Sequence, residues 1–317
     1  MKRIFVIFAL AATLVGCAKE DIVREAPRQA IGFGNPFVEN ATRANYSDAG
    51  VLVDQFNVYG TVTGENTVAL FGGDGAVVYR GDKAYDAIWN CSETEYWIPN
   101  CTYVFEAVVD GAINNGTIAY TRGQNTGTDA VSDLLYAKAN VSTNASAIPS
   151  GDLGTEQTYN GEKVRPVAFT FTHLLSKVKF TVESNATGNY SHTVTNVVLT
   201  GYNSGTYTIS HNANGELNGT WEGDLVGGKL SSIEVSDLTS DMLLIPISDS
   251  FNVSFTVNTY NGTELLTRED FGPITIDKDL VAGNAYNFEI SCELGLPITF
   301  TFSSLGGWDN DTSISIP

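Results

Sequence analysis

Short stretches in which apolar and polar residues alternate constrain the fold of this chain more than any other feature. The clearest stretch has on one face Phe251, Val253, Phe255 and Val257. A two-residue period of this kind is typical of a β-strand with one buried face. Asn115-Gly116 and Asn261-Gly262 are pairs that favour tight hairpin turns. Such signals recur every ~8–12 residues, and long amphipathic helical patterns are missing, so the sequence predicts an all-β protein.

The length of the chain predicts two domains. Its 317 residues exceed what one hydrophobic core usually serves. Small polar residues between 140 and 163 interrupt the strand pattern and mark a boundary. We therefore predict an N-terminal β-sandwich over 31–163 and a C-terminal one over 164–317. Beyond the boundary the apolar parity switches between Phe171 and Val178, which predicts a bulge or bend near Ser176.

The N-terminal residues are those of an exported lipoprotein. A basic start, Met1-Lys2-Arg3, precedes an apolar run of about a dozen residues, which is shorter than the ~20 needed to span a membrane. Leu14-Val15-Gly16-Cys17 then matches the bacterial lipobox, in which the cysteine is acylated and becomes the new N-terminus. We predict a signal peptide over 1–16 and a lipidated tether over 17–30, so that the membrane is reached through lipid only. An ordinary signal peptide with a chance cysteine is the alternative.

The residues that follow Cys17 indicate where in the cell the protein is finally located. Lys19-Glu20-Asp21 resembles surface-export signals of outer-membrane lipoproteins, and no aspartate follows the cysteine directly. We expect a surface-exposed lipoprotein of the outer membrane; a merely solvated tether is the alternative reading.

The net charge argues against one class of partner, and the positions of the cysteines predict their chemical states. The formal net charge is −19, whereas nucleic-acid binding requires basic stripes, so no nucleic-acid partner is expected. Cys91 and Cys101 are ten residues apart and form a candidate disulfide in an exported protein, although spacing alone does not establish one. Cys292 lies in a strand-like apolar context and is expected to be a buried free thiol.

No motif for catalysis or for cofactor binding is found in the sequence. It contains no nucleophile elbow, HExxH, P-loop or dinucleotide fingerprint. We therefore predict no enzyme, no catalytic residue, no metal site and no cofactor. His173 stands on the apolar face of a strand and is read as structural, while His192 and His211 have no obvious partners. Asp309-Asn310-Asp311 lacks the spacing of a calcium loop and is read as solvated.

Four aromatic residues around the cysteine pair have two readings. They fill a sandwich core or line a sugar-binding face, and they are Trp89, Tyr96, Trp97 and Tyr103.

Short segments spread over nearly the whole chain together resemble the fimbrillin family of bacterial pilins, especially its Mfa-like group. Their order and spacing carry the resemblance, rather than any one of them. They are the lipobox at Cys17, Ile31-Gly-Phe33, Ala41-Thr-Arg-Ala44, Tyr96-Trp-Ile-Pro99, Tyr103-Val-Phe-Glu-Ala107, Asp133-Leu-Leu-Tyr-Ala137, Phe169 to Phe180, Leu243-Leu-Ile-Pro246, Gly283-Asn-Ala-Tyr286, Ile298-Thr-Phe300 and Trp308.

The resemblance implies two tandem transthyretin-like β-sandwiches of Greek-key type and a specific route of assembly. A trypsin-like, Arg-specific protease would cut between Arg43 and Ala44 and release the first strand. A strand from another fimbrial subunit would then fill the exposed groove. The apolar residues of the removable strand are Ile31, Phe33, Phe37 and Val38.

Arg24 and Arg28 are other cleavage candidates, but they precede the strand, so cutting there would not remove it. An uncleaved surface Arg43 is a further alternative. Only Thr312 to Ile316 alternates after Trp308, which leaves open whether this subunit donates a strand and whether it is a stalk, tip or accessory subunit.

Two functions from different classes follow. The first is a structural and adhesive subunit of a cell-surface fimbrium, with a host or bacterial surface glycan or protein as a further partner. The second is a monomeric, glycan-binding surface lipoprotein. A hydrolase is a distant third, because no carboxylate pair stands out.

Overall fold

The computed structural model describes residues 29–34, 36–38, 55–80, 88–122, 133–159, 162–238, 241–248 and 250–307. Apart from a single 3-10 turn at Phe71–Gly73, the regular structure of these residues is β-strand, which confirms the all-β prediction. In this part of the chain no helix is long and apolar enough to span a membrane.

The strands of the first half are β1 (Phe33–Gly34), β2 (Phe37–Val38), β3 (Gln55–Thr63), β4 (Thr67–Ala69), β5 (Ala76–Tyr79), β6 (Ile88–Cys91), β7 (Thr102–Val109), β8 (Ile113–Asn114), β9 (Thr117–Thr121), β10 (Leu135–Thr143), β11 (Pro149–Gly151), β12 (Gln157–Tyr159), β13 (Glu162–Val164) and β14 (Thr170–His173). Those of the second half are β15 (Ser176–Ser184), β16 (Tyr190–Gly201), β17 (Ser204–Thr208), β18 (Thr220–Gly223), β19 (Ser231–Glu234), β20 (Met242–Leu244), β21 (Phe251–Asn261), β22 (Glu264–Ile276), β23 (Asn284–Cys292) and β24 (Thr299–Gly307).

One large sheet builds the N-terminal half. Its strands follow the order β1-β6-β5-β3-β7-β10-β14-β2, with β4 beside β3 and β11 beside β10. Alternate residues of its strands point inward, because successive side chains of a strand face opposite sides. The resulting core includes Phe56 and Val58 from β3, and Tyr103, Phe105 and Ala107 from β7. This core surrounds the first described strand of the chain.

Two four-stranded sheets enclose the core of the C-terminal half. Their orders are β20-β15-β23-β24 and β19-β16-β21-β22. The alternating face Phe251, Val253, Phe255 and Val257 is buried between them, as the sequence predicts. β15 and β23 run parallel, with Lys177 opposite Ala285 and Ser184 opposite Cys292.

The chain changes sheets at Leu174-Leu175. β14 still pairs with β10 of the first sheet, and β15 begins the second half at Ser176. The predicted change of phase near Ser176 therefore coincides with the step from one half to the other. Residues 167–173, which the sequence assigns to the C-terminal sandwich, pack against the first core through Val167, Phe169 and Phe171. The division at residue 163 and the transthyretin-like topology stay predictions.

A further sheet joins the two halves. Its order is β18-β17-β9-β8, so strands of the first half pair with strands of the second. β9 and β17 are antiparallel, from Thr117 opposite Thr208 to Thr121 opposite Ser204. A third apolar cluster lies beneath this sheet and includes Ile118, Leu174, Tyr207 and Ile245.

Candidate functional site

The segment Gln29–Val38 fills a groove in the N-terminal half, and this groove is the candidate site. β1 pairs with β6, with Phe33 opposite Trp89 and Gly34 opposite Ile88. On the other side Phe33 forms a parallel bridge with Val167, three residues before β14. β1 therefore lies between two sheet edges that would otherwise face each other unpaired.

Backbone hydrogen bonds alternate between the two walls of the groove. The Ile31 N–H donates to the Glu95 carbonyl at 2.8 Å, and the Trp97 N–H donates to the Gln29 carbonyl at 3.1 Å. Towards the opposite wall, the Gly34 N–H donates to the Val167 carbonyl at 2.9 Å. The Val167 N–H donates in turn to the Gly32 carbonyl at 2.7 Å. Buried backbone groups need partners, so an empty groove would leave both walls unsatisfied.

Phe33 is the deepest apolar anchor of the segment, at 1% exposure. Its ring stacks on Phe169 at 6.0 Å between centroids and meets Phe105 edge-on at 5.7 Å. Phe71 contributes a third, tilted ring at 6.2 Å. Ile31 is buried in the same core. Burying a side chain of this kind contributes about 1.5–3 kcal/mol, so this segment is part of the fold and not an attached tail.

The second half of the segment lies along β14. Phe37 is opposite Thr170 and Val38 is opposite Phe171, in parallel pairing. Ile31, Phe33, Phe37 and Val38 therefore all belong to the strand-forming segment, and that this segment is removable stays a prediction. Cys17, Arg43 and Ala44 lie outside the described residues, as do the C-terminal residues Asp309 to Ile316.

The predicted cysteine pair is not joined in the structure. Cys91 and Cys101 both carry free thiols. Cys91 ends β6 and Cys101 directly precedes β7, and β5 and β3 lie between those strands in the sheet. Three strand spacings amount to ~14 Å along the sheet, whereas a disulfide needs Cα atoms within ~7 Å. The Cys101 thiol donates instead to the Pro99 carbonyl at 3.4 Å, and burial raises the pKa of the Cys91 thiol. Cys292 is a buried free thiol, as expected.

Most of the aromatic cluster fills the core. Trp89, Trp97 and Tyr103 are buried, and the Trp97 ring meets Tyr103 edge-on at 4.8 Å. Tyr96 is exposed and forms a bridge with Ala30 at the start of the segment. A sugar-binding platform needs several rings open to solvent, and within the described residues this cluster offers one.

The histidines are held by structural contacts. His173 is buried and its Nδ1 contacts the Asp133 carboxylate, whose pKa is raised by burial. His192 Nδ1 lies 3.0 Å from Ser184 Oγ, and His211 Nε2 lies 3.4 Å from the Tyr136 hydroxyl. Within the described residues no three His, Cys, Asp or Glu side chains are grouped to hold a metal ion.

Comparison with known proteins places this chain in a family. A fimbrillin-like family model matches residues 42–303. The chain belongs to the fimbrillin-like family. A search of curated proteins gives no match. Among solved structures, a protein of Bacteroides uniformis assigned to cell adhesion is similar at a TM-score of 0.52 and 17% identity, over 88% of this chain and 97% of that one.

Other solved structures resemble this fimbrillin-like protein less closely in three dimensions. A Bacteroides ovatus protein assigned to cell adhesion has a TM-score of 0.48 at 18% identity, covering 90% of this chain and all of its own. A fimbrial protein of Bacteroides vulgatus has a TM-score of 0.42 at 14% identity, covering 87% of this chain and 99% of its own.

Family membership confirms the coarser part of several predictions. This fimbrillin-like protein is a structural protein and not an enzyme. The family interacts with other fimbrial subunits and is located at the cell surface.

The sequence predicted the strand that fills the groove, but it did not predict which residues form the walls of the groove. In this fimbrillin-like protein Glu95 and Val167 provide backbone partners, and Pro166 packs against Gly34. Their contribution is through main-chain atoms or contact with a glycine, so no residue pattern reveals it. Phe169 is the one wall residue that the sequence could have indicated. It begins the stretch from Phe169 to Phe180, which is the most specific of the segments that resemble the family.

Proposed function

We propose that this protein is a fimbrial subunit that is exported as an outer-membrane lipoprotein, cut after Arg43 and joined to its neighbour by strand replacement. The observation that supports the proposal best is the pairing of residues 29–34 with both walls of the groove. A segment bonded to two walls and anchored by Phe33 leaves, once removed, a groove that only another extended strand can fill.

Cleavage after Arg43 would separate this segment from the rest of the fold. Arg43 follows Val38 by five residues and precedes β3, which begins at Gln55. A cut there leaves the segment held by hydrogen bonds and packing alone. Phe71, Phe105 and Phe169 would lose their common partner when it departs. Exposed apolar surface together with unpaired strand edges favours pairing with a strand of another subunit.

Arg43→Ala tests the maturation step. The purified precursor is treated with an Arg-specific protease, and SDS-resistant ladders are measured on gels. We expect ladders from the parent protein and a loss of at least ten-fold in Arg43→Ala, because the first strand stays covalently attached. Arg28→Ala is the matched control and should form ladders normally, since Arg28 precedes the segment. Undiminished ladders from Arg43→Ala would contradict the proposal.

Cys17→Ala tests the lipid anchor. We expect the variant to lose incorporation of a fatty-acid probe and display at the cell surface, because the thiol is the acylated group. Cys91→Ala keeps Cys17 and should label like the parent. Equal labelling of Cys17→Ala and the parent would show that Cys17 is not the acylated residue and would contradict the proposed anchor.

A further inference from the structure

We propose that the groove selects its replacement strand by an aromatic side chain at the Phe33 position followed directly by a small residue such as glycine. The inference rests on the proposed function, because it specifies the partner strand that strand replacement would admit. The groove walls that carry it come from β6, β7, the 3-10 turn and residues 166–171, which all remain in the body of the protein after the segment leaves.

The shape of the Phe33 pocket favours a flat ring. Phe169 lies almost parallel to Phe33, at an interplanar angle of 12°, whereas Phe105 is nearly perpendicular, at 86°. Phe71 closes a third side at 53°. Aromatic pairs in stacked and edge-on arrangements are more favourable than their buried area alone predicts. An aliphatic side chain of similar volume would lose these contacts and leave gaps between rigid rings.

The position after the anchor has little room for a side chain. A Cβ atom placed on Gly34 would lie 3.3 Å from Cγ of Pro166, which is a tight contact, and 3.5 Å from the Val167 carbonyl oxygen. The Gly34 N–H is bonded to that same carbonyl, so the strand cannot move far from this wall without weakening the bond. A branched side chain would place further atoms against Pro166. Proline is excluded as well, because it has no N–H to donate.

The backbone bonds fix the register in which this pair of residues is recognised. The Ile31 N–H bonds to Glu95 and the Gly34 N–H bonds to Val167, on opposite walls. Because side chains alternate along a strand, a shift by one residue would turn the aromatic ring away from its pocket. The partner strand is therefore defined by a large apolar residue at the Ile31 position, an aromatic residue at the Phe33 position and a small residue directly after it.

A peptide-competition experiment tests the selection without changing the folded body. The full mature chain carries Cys17→Ser and a site for a sequence-specific protease inserted after Val38, so that cutting does not depend on Arg43. After cleavage, a fluorescent peptide with the sequence of residues 29–38 is exchanged into the groove. Unlabelled peptides then compete with it, and fluorescence anisotropy gives the concentration of half-displacement. The competitors are the native peptide, Phe33→Leu, Gly34→Val and the exposed control Ala30→Ser.

We expect the native and Ala30→Ser peptides to compete equally, within about two-fold. The Phe33→Leu and Gly34→Val peptides should each compete about ten-fold or more weakly. Equal competition by the Phe33→Leu peptide would overturn aromatic selection, and equal competition by the Gly34→Val peptide would overturn the requirement for a small residue; either result would leave the proposed function standing. A labelled native peptide that never enters the cleaved protein would overturn strand replacement itself.

Discussion

Phe33 joins parts of the chain that are far apart in sequence. Its ring contacts Phe71, Phe105 and Phe169, and its backbone lies opposite Trp89. A buried side chain of this size is costly to lose, because the surrounding core relaxes only partly around the cavity. Phe33 near the N-terminus thus contacts residues that lie up to more than a hundred positions away in the sequence.

Tyr120 carries a prediction about alkaline stability. It is buried on β9, and desolvation raises the pKa of its hydroxyl to about 12. A pKa raised by folding adds stability that is fully present below the unfolded value of ~10 and is lost as the pH rises towards 12. Compared with Tyr120→Phe, the parent should therefore lose about 2–3 kcal/mol of unfolding free energy between pH 9 and pH 12.

Urea unfolding at a series of pH values measures this difference. Tyr190→Phe removes an exposed hydroxyl and is the control, so its stability should follow the parent at every pH. A constant difference between the parent and Tyr120→Phe across this range would show that the hydroxyl is not desolvated in solution.

At the scale of elements, the sheet β18-β17-β9-β8 couples the two halves. Trp221 on β18 adds a side-chain link, because its indole N–H donates to the Leu174 carbonyl at 2.8 Å, where the chain changes sheets. Strand pairing and a shared apolar cluster make separate unfolding of either half unfavourable. We expect one cooperative thermal transition.

Gly205→Val tests the contribution of β18 to this coupling. A Cβ atom on Gly205 would lie 2.7 Å from the Glu222 carbonyl oxygen and 3.0 Å from the Gly223 Cα, so β17 and β18 must separate. We expect a loss of about 1–3 kcal/mol in calorimetry, because β18 carries the Trp221 bond to Leu174 and is displaced. Thr208→Val changes an exposed residue of the same strand and should keep a single transition. A single, unshifted transition in Gly205→Val would mean that the halves are coupled by other contacts.

The turns and the strand pairings differ in how well the sequence predicts them. Asn115-Gly116 was predicted as a tight turn and is confirmed, since both residues adopt positive φ angles between β8 and β9. A tight turn also follows β21, but one residue later than predicted, because Asn261 still pairs with Glu264 and the turn consists of Gly262 and Thr263. Local chemistry decides such turns. Which strands pair is decided by contacts distant in sequence, and so neither the pairing of β14 with β2 nor that of β9 with β17 was predictable.

At the scale of the whole molecule, charge acts on assembly. From Cys17 onwards the chain carries 15 basic and 36 acidic residues, so two copies repel each other at long range. The Debye length falls from about 30 Å at 0.01 M to about 3 Å at 1 M salt, which screens this repulsion. After cleavage, joining should therefore be several-fold faster at 0.5 M than at 0.02 M sodium chloride.

The rate of ladder formation on SDS gels measures this effect. Sucrose at matched osmolality serves as the control, since it changes the solvent without screening charge. A rate that falls with salt would mean that attraction between local patches of opposite sign, rather than net repulsion, governs the encounter.

The insertion of segment 29–38 into its own groove has a kinetic consequence for the precursor. While this segment is tethered to the body that it completes, its effective concentration at its own groove is of the order of millimolar. A competing strand from another molecule is present at micromolar levels, so its concentration at the groove is about a thousand-fold lower than that of the tethered segment. Under the proposed maturation, the scission of one peptide bond cancels that advantage and turns a self-sufficient chain into one that depends on its neighbours.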